Sequence, residues 1–305
     1  MGEHNNHLNK IFAIDKTLAK AKSDLNLTEI KALAYVLSHI KFTSTTSNII
    51  CVDTNLLSNA IGLKCDKNHT SNHLKRSISQ LPTHSYITFE PDSGYPDGNF
   101  VKSVSFFGNE TSITLNPDYL PLVSCLKKNY IILFVDDILN FKSKRTAIFY
   151  LQLRLYSDTR KINEHSFGIK SLKEILNIPK CGPGSYVRTD GHFDRYSFEK
   201  RVLNPLCDEL SNCYLIQLKT TKYGQYYSKC KINGSILGYK FCWIISDNSQ
   251  KKINPYKKID KNNTQKSKQK NYRSNGKRRN YILDERNLNI DELEPILLLT
   301  RPSNS

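Results

Sequence analysis

The sequence predicts an α+β chain in which one order of elements, helix, strand, helix, helix, hairpin, occurs twice ahead of a basic tail. Three observations predict this. Apolar residues recur at helical spacing in two separate blocks, each leading into β-rich runs around turn residues. Each block contains an amphipathic helix with basic residues on its polar face, "HTSNHLKRSISQL" and "FDRYSFEKRVLNPLCDELSN". The formal net charge is +17 over 305 residues, and it is not confined to one end.

The first block opens with Leu8, Ile11, Phe12, Leu18 and Ala19 near helical spacing, which predicts a helix over residues 8–22. Thr28-Glu29 opens a second, with Thr28 as N-cap and an acid in the first turn. Its apolar set is Ile30, Leu33, Ala34, Leu37 and Ile40. "NIICVD" is a short strand, Asp53 caps "TNLLSNAIGL", and Gly62 stops it. In "HTSNHLKRSISQL" one stripe is Leu74, Ile78 and Leu81, while Asn72, Lys75, Arg76 and Ser79 face away from it. Pro82 ends that helix. "SYITFE" and "FVKSVSFFG" around "PDSGYPDG" then read as a hairpin, followed by "TSITL".

Asn116-Pro117 starts a short helix, and "NYIILFV" is a buried strand. Past Asp136 a long helix covers "KSKRTAIFYLQLRLYSDTR", after which the order repeats. "HSFGIKS" is a strand. "SLKEILNI" is a helix with Ser171 as cap and Glu174 completing a capping box. "PKCGPGSYVRTDGH" is a loop, "FDRYSFEKRVLNPLCDELSN" a helix, and "YLIQLKT", "YSKCKI" and "ILGYKFCWII" are strands. The twice-told order is that of the winged helix, a helix-turn-helix variant whose later helix enters the major groove while its hairpin lies on the backbone. The expected division is an N-terminal winged-helix domain over 1–135, giving DNA backbone contacts. A C-terminal one over 136–248 reads sequence, and a basic, disordered tail occupies 249–305.

Charge points the same way. Residues 249–282 hold 12 Lys/Arg and one Asp, and residues 283–305 hold two Arg and five acids, so the body is basic without its tail. Positive charge on this scale favours polyanions, nucleic acid before an anionic membrane. The tail is too poor in apolar residues to offset chain entropy, and "LDERNLNIDELEPILLL" at its end is acidic and apolar. No run of 18 apolar residues exists, and the start lacks the zones of a signal peptide. The expected location is the cytoplasm. The eight cysteines form no C-x-x-C pair and are expected as buried free thiols.

Motifs for covalent chemistry are missing. No G-x-x-x-x-G-K-[ST] is present for an ATPase. No His-x-His is present for a rolling-circle nickase, which also needs a nucleophilic Tyr. His69 and His73 stand four apart, but no Glu follows His69 directly, so they read as surface residues. Glu29, Glu174 and Glu209 read as cap or surface charges. No catalytic residue, metal or cofactor is expected.

A helix over residues 193–212 would be about 30 Å long. Phe198, Val202, Leu203, Leu206 and Leu210 gather on one side. Ser197, Lys200, Arg201, Asn204 and Asp208 gather on the other, with Arg195 near the start. Arg can pair with guanine O6/N7 and Asn with adenine N6/N7, while Lys200 suits base or phosphate. Pro205 removes a backbone donor and should bend the helix near Arg201.

The second half resembles the Rep_3 superfamily of plasmid replication initiators. The resemblance is carried by Arg154-Leu155-Tyr156, by "SLKEILNI", by Tyr186, and by Phe198, Lys200, Arg201, Val202, Leu203, Pro205, Leu206 and Glu209. The first half is similar only in element order and in "LTEIKALAYVLSHI"; coverage is roughly residues 8–246. A loop from Ile178 to Phe193 that is longer than usual, and the tail, depart from the pattern. The resemblance implies two winged-helix domains that bind direct repeats (iterons) at a plasmid origin as monomers and repress their own gene as dimers. It also implies recruitment of host helicase and initiator, with no covalent chemistry. Two other readings stay open. One is a winged-helix transcriptional regulator without an origin role, and the other is a nickase.

Overall fold

Residues 11–41, 47–63, 70–158 and 162–246 are described in the computed structural model. The tail 249–305, His69, Cys65 and the His73 side chain lie outside them, and so do the expectations placed on them.

The chain opens as a strand where helical spacing predicted a helix. Strand β1 (Ile11–Asp15) pairs antiparallel with Tyr130–Phe134, and only Lys16–Lys20 is helical (α1). Phe12 and Ile14 reach the main core, while Ala13 packs with Leu126 and Ile132 on the other face. Pairing with an apolar strand about 120 residues away overrides the local period.

After β2 (Lys22–Ser23), helix α2 (Leu27–Leu37) starts from Asn26, not Thr28. Asn26 Oδ1 accepts from Glu29 N at 3.0 Å and Glu29 Oε2 accepts from Asn26 N at 2.7 Å, a reciprocal capping box. Glu29 is therefore a cap but not a surface charge: it is fully buried, with His84 Nδ1 2.8 Å from Oε1. Next come β3 (Ile49–Asp53), α3 (Thr54–Ala60) and α4 (Thr70–Ile78). Asp53 caps α3 through Leu56 N, as predicted, and Gly62 leaves it at φ +84°. Pro82 does not end α4 but sits at the start of a further turn, α5 (Leu81–His84). Strands β4 (Tyr86–Thr88) and β5 (Gly98–Asn99) pair over two residues only. The long hairpin is β6 (Val101–Phe107) with β7 (Glu110–Leu115), turning at Gly108-Asn109. The sheet runs β3-β7-β6.

A 3-10 turn over Pro117–Leu122 leads to β8 (Tyr130–Phe134), α6 (Val135–Asn140) and α7 (Lys144–Leu155). Helix α7 is shorter than expected: Ser143 caps its start through Arg145 N, and it ends at Leu155. The second half then supplies β9 (Asn163–Gly168) and α8 (Ile169–Ile175). Helix α8 begins after Gly168, so Ser171 lies inside its first turn and caps nothing. Three consecutive pieces follow: α9 (Arg195–Phe198), a π turn (Glu199–Leu203) and α10 (Asn204–Leu210). Strands β10 (Ile216–Leu218), β11 (Tyr227–Ile232) and β12 (Ser235–Ile245) close the half. Strand β12 pairs with β9, β10 and β11 in a four-stranded sheet, within which β9, β12 and β11 run in the order β9-β12-β11. This is the order β3-β7-β6 repeated: the strand before the helices pairs with the far strand of the hairpin. The fold is α+β with two winged helices, each with its own wing.

All described residues belong to one compact unit, residues 1–253. Helices α6 and α7 pack on α2, and α7 also packs on α10, so this pair joins the halves. Arg154 of the "RLY" stretch is buried, and its Nε donates to the Ile132 carbonyl at 3.1 Å, tying α7 to β8. Cysteines depart from expectation. Cys207 and Cys213 are buried, but Cys51, Cys125 and Cys181 are exposed on loops and a strand face, and Cys230 and Cys242 are intermediate. Among the described residues no helix is long and apolar enough to cross a membrane, and no group of three His, Cys, Asp or Glu side chains is placed to hold a metal ion.

Candidate nucleic-acid interface

Two helices present basic side chains over buried apolar faces. On α4, Leu74 and Ile78 are fully buried, while Asn72, Lys75, Arg76 and Ser79 are exposed. The Ser79 hydroxyl donates back to the Arg76 carbonyl at 3.4 Å, and Lys75 Nζ stands 5.5 Å over the Phe106 ring of β6. Helix and wing of the first half therefore meet at a cationic side chain.

The helix from Arg195 to Leu210 buries Phe198, Val202, Leu203, Leu206 and Leu210. Arg195, Lys200, Arg201, Asn204 and Asp208 are exposed, and Ser197 is half-buried. Pro205 interrupts the regular α-helix one turn before it. An α-helix would ask its missing N–H to bond the Arg201 carbonyl. The chain instead widens into a π turn, in which Asn204 N donates to the Glu199 carbonyl. Five residues, including Lys200 and Arg201, lie on that turn.

The helix is clamped along its length. At the start, Asp194 caps it, with Oδ1 accepting from Ser197 N at 3.2 Å and Oδ2 from the Ser197 hydroxyl at 2.8 Å. Those two bonds, with Arg188 nearby, hold the Asp194 carboxyl below its ordinary pKa. In the middle, Glu199 accepts from Lys229 Nζ at 2.8 Å and from the Tyr239 hydroxyl at 2.9 Å, linking helix to wing. Burial, then the Glu199 carboxylate, push the Tyr239 phenol well up, so it stays a donor. Tyr227 donates to Asn204 Oδ1 at 2.8 Å. At the end, Glu209 Oε2 accepts from Lys142 N at 3.0 Å. Just beyond, buried Asp137 of α6 accepts from Tyr214 N at 2.6 Å, Leu215 N at 3.1 Å and the Tyr150 hydroxyl at 2.9 Å. Desolvation raises the Asp137 carboxyl pKa against those three bonds.

The structure therefore separates the predicted residues. Arg195, Lys200 and Arg201 are open to solvent, with Lys200 Nζ 5.7 Å over the Tyr196 ring. Ser197 is engaged as part of the cap. Asn204 spends an oxygen lone pair on Tyr227 and presents chiefly its amide NH2 outward. Glu209 is a clamp, a role that its helix position alone does not reveal.

Sequence reasoning missed several exposed groups. Tyr196 is 70% exposed on the same face as Lys200, four residues on, and the helical wheel alone would have found it. Phe107, at the tip of the first wing, is also 70% exposed. Residues 187–193 form a small hairpin, with Val187 bridged to Phe193 and Arg188 N donating to the His192 carbonyl at 2.8 Å. Composition marked that stretch only as loop.

Known proteins add the following. Residues 12–154 match the model of a family described as "Initiator Replication protein, WH1". The Pi initiator protein, solved in complex with iteron DNA, is similar in structure with TM-score 0.60 and 15% identity, over 78% of this chain and 98% of that one. Domains 2 and 3 of RctB align with TM-score 0.37 and 11% identity, over 74% of this chain and 85% of that one. No curated protein matches the chain.

Proposed function

We propose, for a chain whose residues 12–154 match the model of an initiator replication WH1 domain, that the protein initiates plasmid replication by binding direct repeats at an origin. The observation that carries the reading is the second winged helix beside that domain. Its clamped helix holds Arg195, Lys200 and Arg201 on an exposed face. The likeness to a fold solved on iteron DNA supports the same partner.

In mechanism, the two helices enter successive major grooves and their wings lie on the backbone. Arg201 reads guanine, while Lys200 and Arg195 share base and phosphate contacts; Asn72, Lys75, Arg76 and Ser79 play the matching part from the first half. Clamping by Glu199, Asp137 and Glu209 fixes the helix before DNA arrives, so little ordering is left to offset on binding. The domain division 1–135 and 136–248, a monomer–dimer equilibrium, repression of its own gene and recruitment of host helicase and initiator complete the proposal. The protein itself makes and breaks no covalent bond.

The test is binding of purified protein to duplexes from DNA flanking its own gene, at fixed salt with excess random competitor. Regular ladders on tandem direct repeats are expected. A single complex on one palindrome over the promoter would instead indicate a transcriptional regulator, and metal-dependent nicking a covalent mechanism.

A further inference from the structure

We infer that the hairpin Val187–Phe193 is an additional DNA-reading arm, contacting bases or phosphates just outside those read by the helix that follows it. This rests on the DNA-binding reading above and extends it.

The hairpin has two parts with different chemistry. Its base is packed: the Phe193 ring lies 5.3 Å from Phe198, Tyr186 lies 5.6 Å from Phe198, and Lys173 Nζ sits 5.1 Å over Phe193. Asp194 N donates to the Tyr186 carbonyl at 2.6 Å, so the base is fixed to the residue that caps the helix. Its tip, Arg188-Thr189-Asp190-Gly191-His192, is exposed throughout. Yet the tip is ordered by its own bonds. Gly191 N donates to the Arg188 carbonyl at 3.0 Å, and His192 N donates to Asp190 Oδ1 at 2.9 Å. Gly191 takes φ +79°, a left-handed turn that a β-branched residue would resist.

A base that braces the helix explains Tyr186 and Phe193. It does not explain an exposed tip that keeps a defined shape. Position supplies the reason. In helix-turn-helix docking the N-terminal residues of the recognition helix approach the base edges, and this tip lies within seven residues of Arg195. Extending about three residues at ~3.3 Å each gives a reach of about 10 Å, or about three base pairs at ~3.4 Å. The tip is not a simple cationic patch: Arg188 lies 3.6 Å from Asp194, and Asp190 adds a negative charge. It offers instead the Thr189 hydroxyl, the His192 ring and the outer N–H groups of Arg188. These suit hydrogen bonds to a flanking step more than bulk attraction.

The experiment uses the full chain. Residues 188–192 are replaced by Asn-Gly, a two-residue turn that keeps Val187 opposite Phe193; a second variant, Thr189→Ala with His192→Ala, leaves the backbone intact. Each is compared with wild type on a duplex that spans the whole wild-type footprint with several base pairs to spare, and on duplexes that end three base pairs inside that footprint at one side or the other. The arm predicts that both variants lose about tenfold on the longer duplex. It also predicts that trimming one end costs wild type the same and the variants nothing. Equal loss by the variants on all duplexes would make the hairpin a brace for the helix and overturn the arm, as would no loss on any. If wild type itself showed no preference over random DNA, the DNA-binding reading would have failed before the arm was reached.

Discussion

On the proposed function, base reading depends most on Arg201. Exposed on the π turn over a buried Val202-Leu203 pair, it is free to form a bidentate pair with guanine. Arg201→Ala should weaken binding to the cognate repeat by about 1–3 kcal/mol and to random DNA far less. Competition titrations check this, and a uniform loss would move Arg201 to the phosphate backbone. Asp137 is the counterpart for stability. Three donors converge on its carboxylate, so Asp137→Asn turns an amide NH2 toward one of them and should cost about 1–3 kcal/mol in urea unfolding. The pH sign also follows. Burial raises the folded pKa above its unfolded value, so this group's favourable contribution is complete below the unfolded carboxylate pKa. It is lost as pH rises through the folded one. The stability difference between wild type and the Asn variant should therefore shift against wild type over that interval, and a pH-independent difference would contradict it. Exposure of Lys200 and Arg201 was legible from helical spacing. The Glu199–Lys229 and Asn204–Tyr227 bonds were not, because their partners lie 30 and 23 residues away in sequence.

Among the elements, those whose identity is decided locally were readable. Helices α3 and α4 and strands β8, β11 and β12 follow period and caps. The β11–β12 turn uses Asn233-Gly234, both at positive φ, as a two-residue hairpin prefers. Elements decided by distant partners were not readable: β1 became a strand because β8 offered an edge. That Pro205 would interrupt the helix was legible in the proline; that the interruption would take the form of a π turn over Glu199–Leu203 was not. Strand β12 makes a further demand. A Cβ on Gly238 would collide with the Phe167 carbonyl of β9, where the two strands pair. Gly238→Ala should therefore destabilise the second half by about 1–3 kcal/mol through overpacking. Its urea midpoint should fall, while DNA selectivity of the folded fraction is retained.

At the scale of the molecule, the tandem order was legible because each half repeats the same succession of periods. The joint between halves was not, since α6 and α7 contact α2 and α10 together. The tail of 12 Lys/Arg against one Asp in residues 249–282 belongs to this scale too. Removing residues 249–305 should weaken specific and random DNA binding alike and flatten the salt dependence of affinity. Unequal losses in a salt titration would show that the tail reads sequence.

The central claim is that two recognition helices share one DNA repeat. Footprinting the full chain on its flanking DNA, with wild type, Arg76→Ala and Arg201→Ala side by side, tests it most directly. The account predicts protections recurring with the repeat, each variant losing a different segment about one helical turn apart. Loss of the same segment by both, or an Arg76→Ala pattern identical to wild type, would contradict it and leave the first half without a base-reading role.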